Sequence, residues 1–238
     1  MRFEATFKTT DHSFAADFGA VQTASDGGYE RGYAKGYEDG HADGGAEYAE
    51  QIVAKDDMIK GIIEQTLTHL TADMLSGVST IGTHAFQAMN SLKTVYIPDN
   101  VRSIANNAFY SCAGLVAVTI GNGVSMIGGS AFSASSVNYV TIGSGIRHID
   151  YTAFYNCRSL LNVLVEGDLN YIGEQAFQNC TSAQEFDFSH CTAVPKLNRS
   201  NAFSGTPTTC VIKVPAALLE DWKAATNWSV WADRIIGV

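Results

Sequence analysis

Charge is scarce in this chain. Only 16% of its 238 residues are Asp, Glu, Lys or Arg, against roughly 25% in ordinary soluble domains. The 15 basic residues are outnumbered by 24 acidic ones, for a formal charge of -9. A basic, phosphate-neutralising footprint is missing, which argues against nucleic acid as a partner. Proline is scarce too, at 4 against 22 glycines, so tight turns must be made largely without it. No stretch reaches the roughly 18 apolar residues of a membrane span. The opening MRFEATFKTTDHSF also lacks the apolar run of a signal peptide, so membrane insertion and Sec-type export are not expected. The 5 cysteines are an odd number in a chain too long to need disulfide staples, and reduced thiols are expected. Catalytic patterns are missing as well: the 6 histidines are dispersed, and no G-x-S-x-G, H-E-x-x-H or P-loop occurs. The expectation is a protein that is not an enzyme and needs no cofactor.

What is present is 46% hydrophobic and 11% aromatic residues, ample for a core. Charge is also unevenly placed. Residues 1–75 carry 6 Lys+Arg against 14 Asp+Glu, whereas 76–238 carry 9 against 10. The second region repeats. Ala-Phe recurs with its ring at Phe86, Phe109, Phe132, Phe154, Phe177 and Phe203, at spacings of 23, 23, 22, 23 and 26. Ile81, Ile104, Ile127, Ile149, Ile172 and Leu197 keep the same step, as do Val78, Val101, Val124, Ile146, Leu169 and Val194. Segments such as Val95-Tyr96-Ile97, Val118-Thr119-Ile120 and Val140-Thr141-Ile142 alternate with period two, the mark of a strand with one buried face. Turn chemistry follows each one, as in Gly121-Asn122-Gly123 and Gly143-Ser144-Gly145. One such unit cannot close a core, but stacked units bury their apolar columns continuously. The predicted fold is a repeat solenoid with one short parallel strand per rung of ~23 residues.

Units such as VRSIANNAFYSCAGLVAVTI and IRHIDYTAFYNCRSLLNVLV resemble the BspA-like leucine-rich repeat over about residues 78–215. That resemblance implies a recognition scaffold of the kind found in surface proteins, and binding in place of catalysis. Cys112, Cys157 and Cys180 each follow a repeat phenylalanine by three positions, where Met89 and Ser135 stand elsewhere. The column reads as buried thiols. A disulfide or zinc site at Cys157 and Cys180 is the other reading, because rungs lie about 5 Å apart.

The chain divides into a strand segment at 1–27, a glycine–tyrosine repeat and helix at 28–65, repeats at 66–215 and a cap at 216–238. In the cap, Leu218, Leu219, Trp222, Ala225, Trp228, Trp231 and Ile235 fall at helical spacing after Pro215, which predicts a capping helix. A tryptophan platform for sugars is its competitor. Gly28, Gly32, Gly36, Gly40 and Gly44 recur every four residues beside Tyr29, Tyr33 and Tyr37, giving either a helical ridge for a second copy or an acidic linker. Asp39, Asp43, Gly44 and Glu50 match positions one, five, six and twelve of a calcium loop, but His41 departs from it at position three. The glycine period already accounts for these residues, so no metal is expected.

The opening FEATF and DFGAVQ, followed by the glycine–tyrosine repeat and the rungs, resemble tail-associated proteins of phages of gut bacteria. That resemblance implies anchoring to other virion or tail proteins through the N-terminal segment, homo-oligomer formation, and attachment to a host-surface glycan or protein. Its location would be the virion; a bacterial cell-surface adhesin is the alternative. Alternation then selects the binding residues. The position between two buried columns faces outward, giving Tyr96, Thr119, Thr141, Leu164, Asp187 and Lys213, beside Thr94, Ala117, Tyr139, Asn162, Glu185 and Val211. Tyr96, Thr119, Tyr139, Thr141, Leu164 and Asp187 are the candidate binding residues, with solvent or a neighbouring subunit as the other occupant of the stripe.

Overall fold

The computed structural model describes residues 66–238. The strands read in 1–27, the glycine–tyrosine segment and the calcium-loop-like stretch lie outside the described residues. The repeats form a parallel solenoid. Its longer strands are β3 (Thr94–Ile97), β5 (Ala117–Ile120), β7 (Tyr139–Ile142), β9 (Asn162–Val165), β11 (Glu185–Asp187) and β13 (Val211–Val214). With β1 (His69–Leu70) at one end and β14 (Ile235–Gly237) at the other, they make an eight-stranded sheet in chain order.

Each rung also carries a second, shorter strand that the sequence reading did not resolve. These are β2 (Thr80–Ile81), β4 (Ser103–Ile104), β6 (Met126–Ile127), β8 (His148–Ile149), β10 (Tyr171–Ile172) and β12 (Lys196–Leu197), paired in parallel as a six-stranded sheet. Two residues are too few for alternation to register, although the inward member is the Ile/Leu column already visible in the sequence.

The core lies between the sheets and the phenylalanine turns. Successive rings from Phe86 to Phe154 stack with centroids 5.1, 5.0 and 5.1 Å apart and planes within 7°. The column continues to Phe177 at 5.3 Å and Phe203 at 5.4 Å. These spacings are close to the ~4.8 Å separation of paired strands, so the rings inside the column, from Phe109 to Phe154, each stack on one ring from either neighbouring rung. The five cysteines are unpaired and buried. Sγ of Cys112 donates to the Phe86 carbonyl at 3.0 Å and Sγ of Cys157 to that of Phe132 at 3.0 Å. Burial pushes both thiols up to about 12. The column therefore holds buried thiols and no disulfide. Among the described residues no three His, Cys, Asp or Glu side chains gather into a group that could hold a metal ion.

The phenylalanine turns are built from left-handed residues other than glycine. Asn107, Ser111, Ser130 and Ala134 have φ of 58°, 60°, 56° and 57°. Such residues are ordinarily disfavoured. Here the strained backbone aims N–H groups at the next rung: Asn107, Phe109 and Ser111 donate to the carbonyls of Gly129, Ala131 and Ser133 at 3.0, 2.7 and 2.8 Å. At the ends of the strands the direction reverses. Arg102, Ala105 and Gly121 donate back to Ser79, Ile81 and Ile97 of the preceding rung. Glycine is required where turns approach closely, since a Cβ on Gly145 would collide with the Asn122 carbonyl.

The C-terminal cap contains the expected single helix, but it is short and flanked by 3-10 turns. A 3-10 turn at Ala216–Leu218 leads into α1 (Leu219–Ala224), and a second at Ser229–Arg234 leads into β14. The helix stops because Ala225 is extended and Asn227 is left-handed, with φ of 67°. Asn227 Nδ2 is held by the carbonyls of Leu197 and Asn198 at 2.9 and 3.2 Å. Breaking the helix lets β14 pair in parallel with β13 and extend the long sheet.

Candidate functional site

The long strands place two side-chain columns on the outer face of the eight-stranded sheet. Thr94, Ala117, Tyr139, Asn162, Glu185 and Val211 are register partners in succession, and so are Tyr96, Thr119, Thr141, Leu164, Asp187 and Lys213. Between them the chain buries Val95, Ile97, Val118, Ile120, Val140 and Ile142. Alternation thus places all six candidate binding residues on one face. Tyr96 and Tyr139 are 47% and 50% exposed, the largest apolar surfaces on it. Thr119 is exposed, while Thr141, Leu164 and Asp187 are half-buried between neighbours.

The face is not uniform. At one end His69 Nδ1 lies 2.7 Å from Thr94 Oγ1. At the other, Lys213 Nζ pairs with Glu185 at 2.8 Å, and that hydrogen bond holds the ammonium to higher pH than usual. Asp187 Oδ1 accepts the Ser189 N–H at 2.9 Å, which makes Asp187 a turn residue before a contact residue. Between these ends, Thr119, Thr141 and Asn162 form no side-chain hydrogen bond among the described residues.

Sequence reasoning missed three members of the surface. Register carries the columns on to His69 at one end and to Ile236, 39% exposed, at the other. Val116, 44% exposed, lies on the bend that enters β5 and breaks the alternation there. The first two would follow from extending the columns by one repeat, but β14 is spelled by a tail that carries no repeat. Val116 has no such signal.

The tryptophan cluster is a lid on the last rung and no sugar platform. Trp222 and Trp228 are fully buried, with ring centroids 4.6 Å apart. Trp222 stacks on Phe188 at 5.7 Å, and Trp228 lies 5.6 Å from Phe203, the last ring of the column. Trp228 Nε1 donates to the Pro195 carbonyl at 2.8 Å. Arg234 covers the half-buried Trp231 at 5.1 Å and binds the Cys210 carbonyl at 2.9 Å.

No curated protein matches the chain. Among solved structures, a leucine-rich repeat protein of T. pallidum is similar over 52% of this chain and 59% of its own, at 27% identity and a TM-score of 0.45. A leucine-rich repeat protein from Bacteroides ovatus is 23% identical over 59% and 44% of the two chains, with a TM-score of 0.39. A leucine rich cell surface protein from Faecalibacterium prausnitzii is 27% identical over 58% and 43%, also at 0.39. The chain spans less than two thirds of the length of each of them. The repeat is decided by the sequence match itself: residues 67–215, more than half of the chain, fit the BspA type leucine rich repeat region in 6 copies, and the chain belongs to that family.

Proposed function

We propose that the chain is a non-enzymatic recognition protein that displays its solenoid for attachment to a host cell surface, as a tail-associated component of a phage particle. The observation that carries the recognition role is the outward face of the long sheet, where Tyr96 and Tyr139 stand half exposed on a rigid ladder. Tyrosines contribute large contact area with few rotors to freeze, so an exposed pair on fixed backbone is a good binding anchor. Family membership supports this reading, because stacked repeats present long continuous surfaces. The virion location is supported by the resemblance of FEATF, DFGAVQ and the glycine–tyrosine repeat to tail-associated proteins. In this reading the N-terminal segment holds other tail proteins and further copies of the chain.

A bacterial cell-surface adhesin is the second reading, favoured by the family match alone. Both readings share the face and differ in what carries it. The test has two arms. Labelled full-length chain is applied to candidate host cells, with the Tyr96→Ala/Tyr139→Ala double variant beside it. Purified particles and cell envelopes are then probed with an antibody to the chain. Cell binding that falls at least about tenfold in the double variant, with the chain in particles, is the expected result. Unchanged cell binding by the variant refutes the role of the face, and signal confined to envelopes refutes the virion location.

A further inference from the structure

From the chemistry of this face we infer that its ligand is an uncharged oligosaccharide, an inference that rests on the recognition role proposed above. The first observation is charge. Across four adjacent strands the outward residues are Thr94 and Tyr96, Ala117 and Thr119, Tyr139 and Thr141, Asn162 and Leu164, and none is Asp, Glu, Lys, Arg or His. Within the two columns charged side chains follow these strands at Glu185, Asp187 and Lys213, while on the other side His69 continues the first column and exposed Lys93 immediately precedes β3. Over these four strands a sialylated, sulfated or phosphorylated ligand would lose water without gaining a counter-charge from either column.

The second observation is size. Four strands at ~4.8 Å, each four residues long at ~3.3 Å per residue, cover about 250 Å². A stable protein interface takes about 800 Å² per partner. The neutral patch suits a few sugar rings, whereas a protein partner would have to reach past it onto the charged residues around it.

The third observation is functional-group content. A neutral pyranose offers an apolar face of C–H groups and a rim of hydroxyls. Tyr96 and Tyr139 supply exposed rings. Thr119, Thr141 and Asn162 supply hydroxyl and amide groups with no side-chain partner among the described residues. Because Thr119 and Thr141 are register partners on adjacent strands, their hydroxyls recur at ~4.8 Å, about the length of one ring. A glycan laid along the solenoid axis meets a threonine hydroxyl on each of these two strands.

The test uses the full-length chain on an array of neutral gluco-, galacto- and manno-oligosaccharides beside sialylated and sulfated ones, with hits measured by calorimetry at low and high salt. Binding to a neutral glycan is expected, insensitive to salt, at least about tenfold weaker in Tyr96→Ala/Tyr139→Ala, and retained in Tyr139→Phe, which keeps the ring. Thermal unfolding of each variant confirms that it folds. Binding only to anionic glycans, with steep salt dependence, overturns the inference. So does neutral-glycan binding that the double variant leaves unchanged. If no glycan binds but host-cell binding still depends on the two tyrosines, the oligosaccharide is wrong and the recognition role stands, with a protein as receptor. If sedimentation shows the chain dimerising through this face, lost in the double variant, a second copy is the occupant and the inference fails.

Discussion

Phe132 has no exposed surface and lies between Phe109 and Phe154, whose centroids are 5.0 and 5.1 Å away. Neither ring can move into its place without leaving its own rung. Phe132→Ala is therefore expected to destabilise the fold by about 3–5 kcal/mol, measured by urea unfolding; wild-type stability would refute a stacked core. The thiol column gives a pH dependence. Burial pushes Cys112 and Cys157 up to about 12, whereas an unfolded thiol ionises near ~8.5. The folded state thus favours the neutral thiol. Its contribution is fully present below ~8.5 and is lost as pH rises toward the folded value. Stability should fall from neutral pH to about pH 10, and less steeply in Cys112→Ala/Cys157→Ala. Equal slopes in variant and wild type would show that the thiols do not drive the loss.

At the scale of elements, the long strands and the phenylalanine column were legible because five spacings and a period-two pattern state them directly. The left-handed turns were not. Their positions hold His84, Asn107, Ser130, Thr152 and Gln175, a set with no shared side-chain chemistry, because inter-rung hydrogen bonds select the conformation there. The outward columns of the candidate site were legible for the same reason as the strands, while β14 and Val116 lay where the repeat ends or bends. The cap was half legible: its apolar spacing is real, but Asn227 turns the chain out of the helix to anchor on the sixth rung. Trp228 joins these parts, touching Phe203 and binding the Pro195 carbonyl. Trp228→Ala is expected to cost about 3–5 kcal/mol and to increase binding of a hydrophobic dye through the uncovered last rung. Loss of stability with no gain in dye binding would mean that the lid closes over the gap.

The molecule as a whole sorts its charge by position. Residues 76–238 carry 9 basic and 10 acidic side chains, so the rungs are nearly neutral and the acidity is concentrated toward the N-terminus. The inter-rung hydrogen bonds run in both directions along the stack. In an α-helix all peptide dipoles align, and the ends acquire partial charges that favour ionic partners. In this stack, Asn107, Phe109 and Ser111 point their N–H groups forward while Arg102, Ala105 and Gly121 point theirs backward. The peptide groups of this stack therefore do not share one direction, unlike those of an α-helix. The end at the last rung is closed by both kinds of contact: buried tryptophans cover the phenylalanine column, while β14, Asn227 and Trp228 Nε1 take up polar backbone groups. Gaining or losing an internal rung therefore changes the reach of the face and leaves the cap's contacts with Phe203, Leu197 and Pro195 in place.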